Sequence, residues 1–190
     1  MGRRIVLVRH AAVAVELDIP RQRWELSDDG RARARTLSRL PRWRRVERLF
    51  CSTEVKAHET AQIIGSPNGI SVTVVEGLHE VERGPERWIA DYGSAVRDWF
   101  EHPREPVHGW ETAESARARV GRCINRLLVV QPDPFAVVGH GLTLALHVAA
   151  LTGAEPATVW DAIGLPDLCV VDVDQRCVVR PFAGRGSATR

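Results

Sequence analysis

Lysine is almost missing from this 190-residue chain: of its 26 basic side chains all but Lys56 are arginine. Net charge is scarce too. The formal +2 is too small to make nucleic acid or an anionic membrane the main partner. No apolar run approaches the roughly 20 residues that cross a bilayer, and Met-Gly-Arg-Arg followed only by Ile5 to Val8 is too short for a signal peptide. A cytoplasmic protein is expected. The four cysteines, Cys51, Cys123, Cys169 and Cys177, have no CxxC spacing, which argues against a zinc site or a redox pair and predicts buried thiols. With 44% hydrophobic and 26% charged residues the composition is that of a globular protein. The length predicts one domain over residues 1–182, followed by a polar, Gly-containing and mobile tail at 183–190.

What charge there is lies unevenly. Residues 1–50 carry 13 Arg against six acids, and eight Arg fall within residues 31–48. That segment holds one aromatic, Trp43, and no nucleic-acid recognition motif, so a solvated amphipathic helix accounts for it better than a nucleic-acid site does.

Hydrophobic patterning predicts alternating strands and helices. Ile5 to Val8 is a short β-branched run, suited to a strand covered on both faces. Ser27 caps a helix with acids in its first turn, running towards Leu40 and ending before Pro41. Residues 48–51 form the next strand, 54–64 a helix, and 72–75 a third strand. Residues 77–109, rich in Trp, Arg and Glu, suit loops and short helices over a site, with about 80–110 as a lid. Thr112 to Val130 is a long amphipathic helix. Residues 135–139 form a strand, 142–151 a helix, and 169–173 with 177–179 a closing hairpin. The order implies a three-layer α/β/α sandwich around a mostly parallel sheet, with a small lid over the strand C-termini.

Two strands end in histidine, at Val8-Arg9-His10 and at Val138-Gly139-His140. Ligands of open α/β sheets bind at the carboxyl ends of strands, so two imidazoles 130 positions apart can face one crevice. With Ser52-Thr53-Glu54-Val55-Lys56-Ala57-His58-Glu59-Thr60-Ala61, Leu78-His79-Glu80, Gly109-Trp110-Glu111 and Val138-Gly139-His140-Gly141, the stretch Leu7-Val8-Arg9-His10-Ala11 resembles the histidine phosphatase superfamily, which includes the cofactor-dependent phosphoglycerate mutases. The resemblance spans about residues 5–145, with the elements in the family's order.

The resemblance implies that His10 attacks a phosphomonoester to give a phosphohistidine, which water then hydrolyses. A neutral imidazole is a competent nucleophile near pH 7, and the protein's remaining task is to surround the transferring phosphoryl with cations and N–H donors. Arg9, Lys56, His140 and Gly141 are expected there. Glu80 matches the family's acid, with Glu82 and Glu76 as alternatives; Glu111 reads as a structural carboxylate at a helix start. Trp24, Trp88 and Trp99 suit either packing or the pocket's cover. No metal or cofactor is expected.

Three departures from the family pattern stand out. Ala11 replaces a Gly, which is mild only if the backbone there has negative φ. Ala12-Val13-Ala14-Val15 replaces a polar run. Lys56 stands where Arg is usual, supplying charge without the planar fork. The sequence therefore predicts a metal-independent phosphatase acting on a small phosphorylated metabolite such as a sugar phosphate, because the 30 residues between Glu80 and Glu111 give less cover than a mutase requires. Arg83, Arg87 and Arg104 are expected near this pocket. The alternatives are a mutase-type phosphotransferase, and a degenerate member of the fold that binds phosphate or nucleic acid. No membrane partner is expected, and a homodimer is left open.

Overall fold

A computed structural model describes residues 2–84, 89–131 and 134–184. Six strands form one sheet: β1 (Arg4–Arg9), β2 (Arg48–Cys51), β3 (Ser71–Val74), β4 (Phe135–Gly139), β5 (Asp167–Asp172) and β6 (Cys177–Arg180). Their spatial order is β3-β2-β4-β1-β5-β6. The first four in that order run parallel; β5 is antiparallel to β1, and β6 to β5. The sheet is mostly parallel, as the patterning predicts, with an antiparallel hairpin closing one edge.

The two-residue period of the strands sends alternate side chains to opposite faces. Ile5, Leu7, Phe50, Phe135, Val137 and Val171 join a core with Val120, Ile124 and Leu127 of α4 (Ala113–Val130) and Leu142, Leu144 and Leu146 of α5 (Gly141–Thr152). Val6, Val8, Leu49, Ala136 and Val138 face the other way, onto Leu37 of α1 (Asp28–Ser38) and Ala57, Ala61 and Ile64 of α2 (Val55–Asn68). Each Val, Leu or Ile so buried contributes about 1.5–3 kcal/mol of transfer free energy. Two covered faces explain why β1 and β4 read as unbroken apolar runs.

Several boundaries differ from the patterning for local reasons. Ser27 caps α1, its side chain accepting from the Gly30 amide at 3.0 Å, but the helix stops at Ser38. Leu40 is extended because the following Pro41 disfavours helix at that residue, and residues 41–45 form a 3-10 turn that buries Trp43. Helix α2 passes Ile64 and Pro67 and ends where Gly69 takes a left-handed φ of 66°. The irregular stretch contains α3 (Tyr92–Glu101), capped by Asp91, and α6 (Pro156–Asp161) follows α5; neither was legible in the periodicity. Cys51 and Cys169 are buried, but Cys123 and Cys177 are half-buried, so only two of the thiols lie where composition placed them. The start of the expected tail is fastened: Ala183 and Gly184 donate to the Asp167 carboxylate at 3.0 Å each. Residues 185–190 lie outside the described residues. No helix among those described is long and apolar enough to cross a membrane.

Helix α1 also supports the loop after β1. The Ala12 carbonyl accepts from Ser27 N at 3.0 Å, and α1 sits so close that a Cβ at Gly30 would stand 2.0 Å from that carbonyl oxygen. Gly30→Ala is therefore expected to lower stability by about 1–3 kcal/mol, the usual scale of overpacking, or about 2–12 °C in Tm for a domain of this size. An unchanged melting curve would show that the loop yields freely.

Candidate active site

Strands β1 and β4 are neighbours, paired Arg9 to Gly139, so the residues that follow them emerge side by side. From β1 the chain leaves towards α1 and α2; from β4 it leaves into α5, on the opposite face. A crevice opens where the two connections diverge. His10 and His140 stand in it, with the His10 amide donating to the Gly139 carbonyl at 3.0 Å. Their ring centroids are 5.2 Å apart and both are buried.

A hydrogen bond assigns the tautomer of His10. Nδ1 of His10 lies 2.7 Å from the Ala11 carbonyl, which can only accept, so Nδ1 carries the proton and Nε2 keeps its lone pair. Burial is the main cause that holds the His10 pKa well below 6.5, with the charges of His140, Arg9 and Lys56 acting in the same direction. His140 Nε2 lies 2.8 Å from the Ser52 hydroxyl. That hydroxyl also accepts the Glu54 amide at 3.1 Å, and with a second lone pair and its own proton it can serve either tautomer of His140. His140 Nδ1 is buried and has no hydrogen-bond partner among the described residues. Burial again dominates in lowering the His140 pKa to about 3, with Glu80 opposing and Lys56 and Arg9 assisting.

The structure brings Arg9, Lys56, Glu80 and Gly141 to the same crevice. Arg9 Nη1 donates to the carbonyls of Ile163 and Gly164 at 3.3 and 3.5 Å, and a Cβ on Gly141 would meet Arg9 Cζ at 3.0 Å. A side chain at 141 would therefore press on the Arg9 guanidinium. The Glu80 carboxylate sits on the N-terminus of α5, accepting from Leu142 and Thr143 amides at 3.1 Å each, where the helix's positive end favours an anion. Glu82 points outward, 72% exposed, towards His79, and Glu76 is exposed. Neither rivals Glu80 for the crevice. Ala11 does not have positive φ and its amide donates to Thr60 Oγ1 at 3.0 Å, so its methyl group imposes no backbone strain.

Other expectations fall outside the crevice. Trp99 is fully buried and donates to the Glu111 carbonyl at 2.8 Å, a packing role. Trp24 closes the loop before α1 by donating to Glu16 O at 2.7 Å. Arg104 pairs with Glu114 on the exposed surface. Trp88 and Arg87 lie outside the described residues.

Two supporting residues were not singled out in the sequence. Glu54 is buried between the site's parts: Oε2 holds the Lys56 ammonium, and Oε1 accepts the Glu80 amide at 2.7 Å and lies 3.4 Å from His140 Nε2. Lys56 also donates to Arg21 O at 2.8 Å. A carboxylate two positions before the sole lysine was the available signal, but nothing local says it is buried. Arg119 of α4, one arginine among many in the sequence, donates to the carbonyls of Gly77, His79 and Glu80 at 3.0, 2.9 and 3.3 Å. Its other partner is Glu111, at 2.7 Å. Burial works against the Glu111 charge, but the hydrogen bonds and charge of Arg119 outweigh it and hold that carboxyl below its usual range. The expectation that Glu111 is structural fits this contact.

The sequence model of the histidine phosphatase superfamily (branch 1) matches residues 5–178. Glucosyl-3-phosphoglycerate phosphatase of Mycobacterium tuberculosis is 27% identical over 181 residues, which cover 86% of this chain and 81% of that protein. A solved structure of the mycobacterial glucosyl-3-phosphoglycerate phosphatase in complex with VO3 matches with a TM-score of 0.76 at 24% identity, over 95% of this chain and 97% of that one. The alpha-ribazole phosphatase of Shigella flexneri matches with a TM-score of 0.75 at 20% identity, over 98% and 99%.

Two outcomes follow from the buried charges. Below pH 6.5 the unfolded chain protonates His10 and His140 while the folded protein does not, so stability present above that pH is lost as pH falls. Each histidine costs about 1.4 kcal/mol per pH unit in that range, and denaturant unfolding at pH 7.5, 6.5 and 5.5 should show the fall; a flat profile would contradict the buried neutral pair. Glu54→Gln leaves Lys56 without its counter-charge and removes an anion that repels other anions. Inorganic phosphate should then bind about tenfold tighter and raise Tm about 3–6 °C more than in the wild type at saturating concentrations. An equal shift in both proteins would place Glu54 outside the anion's field.

Proposed function

The chain belongs to the histidine phosphatase superfamily and is a phosphatase, and from that premise we propose that it hydrolyses small phosphorylated metabolites, sugar phosphates or similar esters, through a phosphohistidine on His10 without a metal. The carrying observation is the tautomer of His10: a buried, neutral ring whose Nδ1–H is held by Ala11 O and whose Nε2 lone pair faces the crevice. Such a nitrogen is nucleophilic at neutral pH with no base to activate it.

In the first step Nε2 forms a bond to phosphorus as the ester P–O bond breaks, and the leaving oxygen takes a proton from Glu80. In the second, water attacks phosphorus, the N–P bond breaks, and Glu80 recovers the proton. Arg9, Lys56 and His140 surround the phosphoryl oxygens, which carry most of the charge in flight. Gly141 makes room for Arg9 to do so. Amides of α5 and the Arg119 contacts hold Glu80 in register with the leaving oxygen. The mycobacterial relative's name, a phosphatase of glucosyl-3-phosphoglycerate, supports a small phosphorylated metabolite as substrate.

Release of inorganic phosphate from an aryl phosphate in EDTA is expected, with loss of activity in His10→Ala; a requirement for added Mg²⁺ or Zn²⁺ would overturn the mechanism. Glu80→Gln should slow alkyl phosphates about 10²-fold or more while sparing aryl phosphates, whose leaving oxide needs little protonation. Equal slowing of both classes would remove Glu80 from the acid role.

A further inference from the structure

One residue of the arginine-rich stretch 31–48 does not fit a solvated face. Of the eight Arg there, Arg33, Arg35, Arg39, Arg44, Arg45 and Arg48 are exposed, and Arg31 pairs with Glu59 and Glu25. Arg42, in the 3-10 turn after α1, is half-buried. Its Nε is shielded from solvent and has no hydrogen-bond partner among the described residues. Arg180, the last residue of β6, is also half-buried, and its Nη1 is shielded and unpartnered in the same way.

The register brings these two side chains to one place. Arg180 stands opposite Val170 in the antiparallel pair of β6 with β5, and residues directly opposed share a face of the sheet. Val170 packs on the cluster that contains Leu40 and Trp43, which flank Arg42. Burial, and after it the charge of Arg180, lowers the pKa of Arg42, with no carboxylate opposing them. Neither guanidinium has a hydrogen bond or ion pair with another described residue. Asp172, two positions along β5 from Val170, is otherwise engaged: it accepts the Gln175 amide at 3.0 Å and lies 3.6 Å from Arg4 Nε.

Two like charges, each with a shielded N–H lacking an acceptor, are costly. An arginine turned to water, as at the six exposed positions, would avoid that cost. So would an anion between the pair, provided that it brings two charges and enough oxygens for two forks. A phosphate group meets both conditions; a single carboxylate balances only one guanidinium. The place is separate from the crevice. Val170 lies three residues along β5 from Asp167, the partner of Arg9, or roughly 10 Å at the usual strand rise, and β6 is the edge strand, two strands from β1.

We propose that Arg42 and Arg180 form a second anion site, which takes a phosphate group, as inorganic phosphate or as the phosphoryl of an ester, and thereby ties the turn after α1 to the sheet edge. The site does not depend on the reaction proposed for His10.

The test is calorimetry in chloride-free buffer at pH 7.5, in a His10→Ala background so that no ester turns over. Arg42→Gln and Arg180→Gln, made separately, should each remove one bound phosphate per chain, and Arg9→Gln should leave that phosphate in place. Sulfate should fill the same site, and acetate should bind there at least about tenfold more weakly, the scale of a lost charge-assisted bond. Methyl phosphate distinguishes the sources: binding there with the affinity of inorganic phosphate means that the site admits an ester, and exclusion means that it takes the free ion. Melting curves separate a ligand site from a packing contact. Phosphate at ten times its Kd should raise Tm by about 3–6 °C through this site, a gain that both variants lose, while in anion-free buffer Arg42→Gln should melt no lower than its parent. The proposal is overturned if neither substitution lowers the number of phosphates bound, if Arg9→Gln removes them all, if acetate binds as tightly as phosphate, or if both variants lose the same Tm with and without phosphate. In the wild-type background Arg42→Gln should hydrolyse aryl phosphate as fast as the parent; a loss as large as that of His10→Ala would place Arg42 in the crevice and overturn a separate site.

Discussion

The parallel pairing of β1 with β4 is the constraint from which the rest of the site follows. Register sets Arg9 against Gly139, and the His10 amide continues the ladder onto the Gly139 carbonyl. Two imidazoles from opposite ends of the sequence therefore leave the sheet together. A one-residue slip would turn every side chain of β1 to the other face and bury the wrong set. Apolar alternation on both covered faces thus protects the register that sets the two histidines side by side.

Once the rings stand in that crevice, low polarity determines their chemistry. Burial favours neutral imidazoles, and the cations that serve an anion push the same way. A site built only of Arg9, Lys56 and two histidines would concentrate positive charge in the absence of ligand. Glu54 offsets this from below: its carboxylate holds Lys56 and accepts the amide of Glu80. The same group ties Lys56, Glu80 and His140 into one set, which suits the preorganised charge that the proposed reaction requires. A buried pair of this kind is weak as a source of stability and more valuable as a means of placing Lys56.

Support reaches the site from both sides of the sheet. Asp167 accepts the Gly164 amide at 2.9 Å and so fixes the carbonyls on which Arg9 rests, while its other bonds fasten Ala183 and Gly184. Arg119 does the equivalent for the loop of Glu80, with Glu111 as its counter-charge. On the third side, the close contact of Gly30 with Ala12 fixes the loop that follows His10. The apolar run Ala12 to Val15 makes sense there: Ala14 N bonds Glu25 O at 3.0 Å and Val13 bridges to Leu26, so the stretch works through its backbone and polar side chains are not needed for its shape.

Local sequence determined the strands and long helices, because a two-residue or 3.6-residue apolar period is written in consecutive residues, and it marked His10 and His140 because both follow buried runs at strand ends. It also marked Lys56, the one lysine among arginines. It did not determine which carboxylates enter the crevice: Glu76, Glu80 and Glu82 are equivalent as letters, and only the approach of α5 separates them. Nor could it show that Glu54 is buried against Lys56, or that Arg119 and Arg42 differ from the other arginines. Those roles depend on contacts between residues dozens of positions apart, where burial turns an ordinary surface charge into a fixed partner, and burial is a property of the assembled fold.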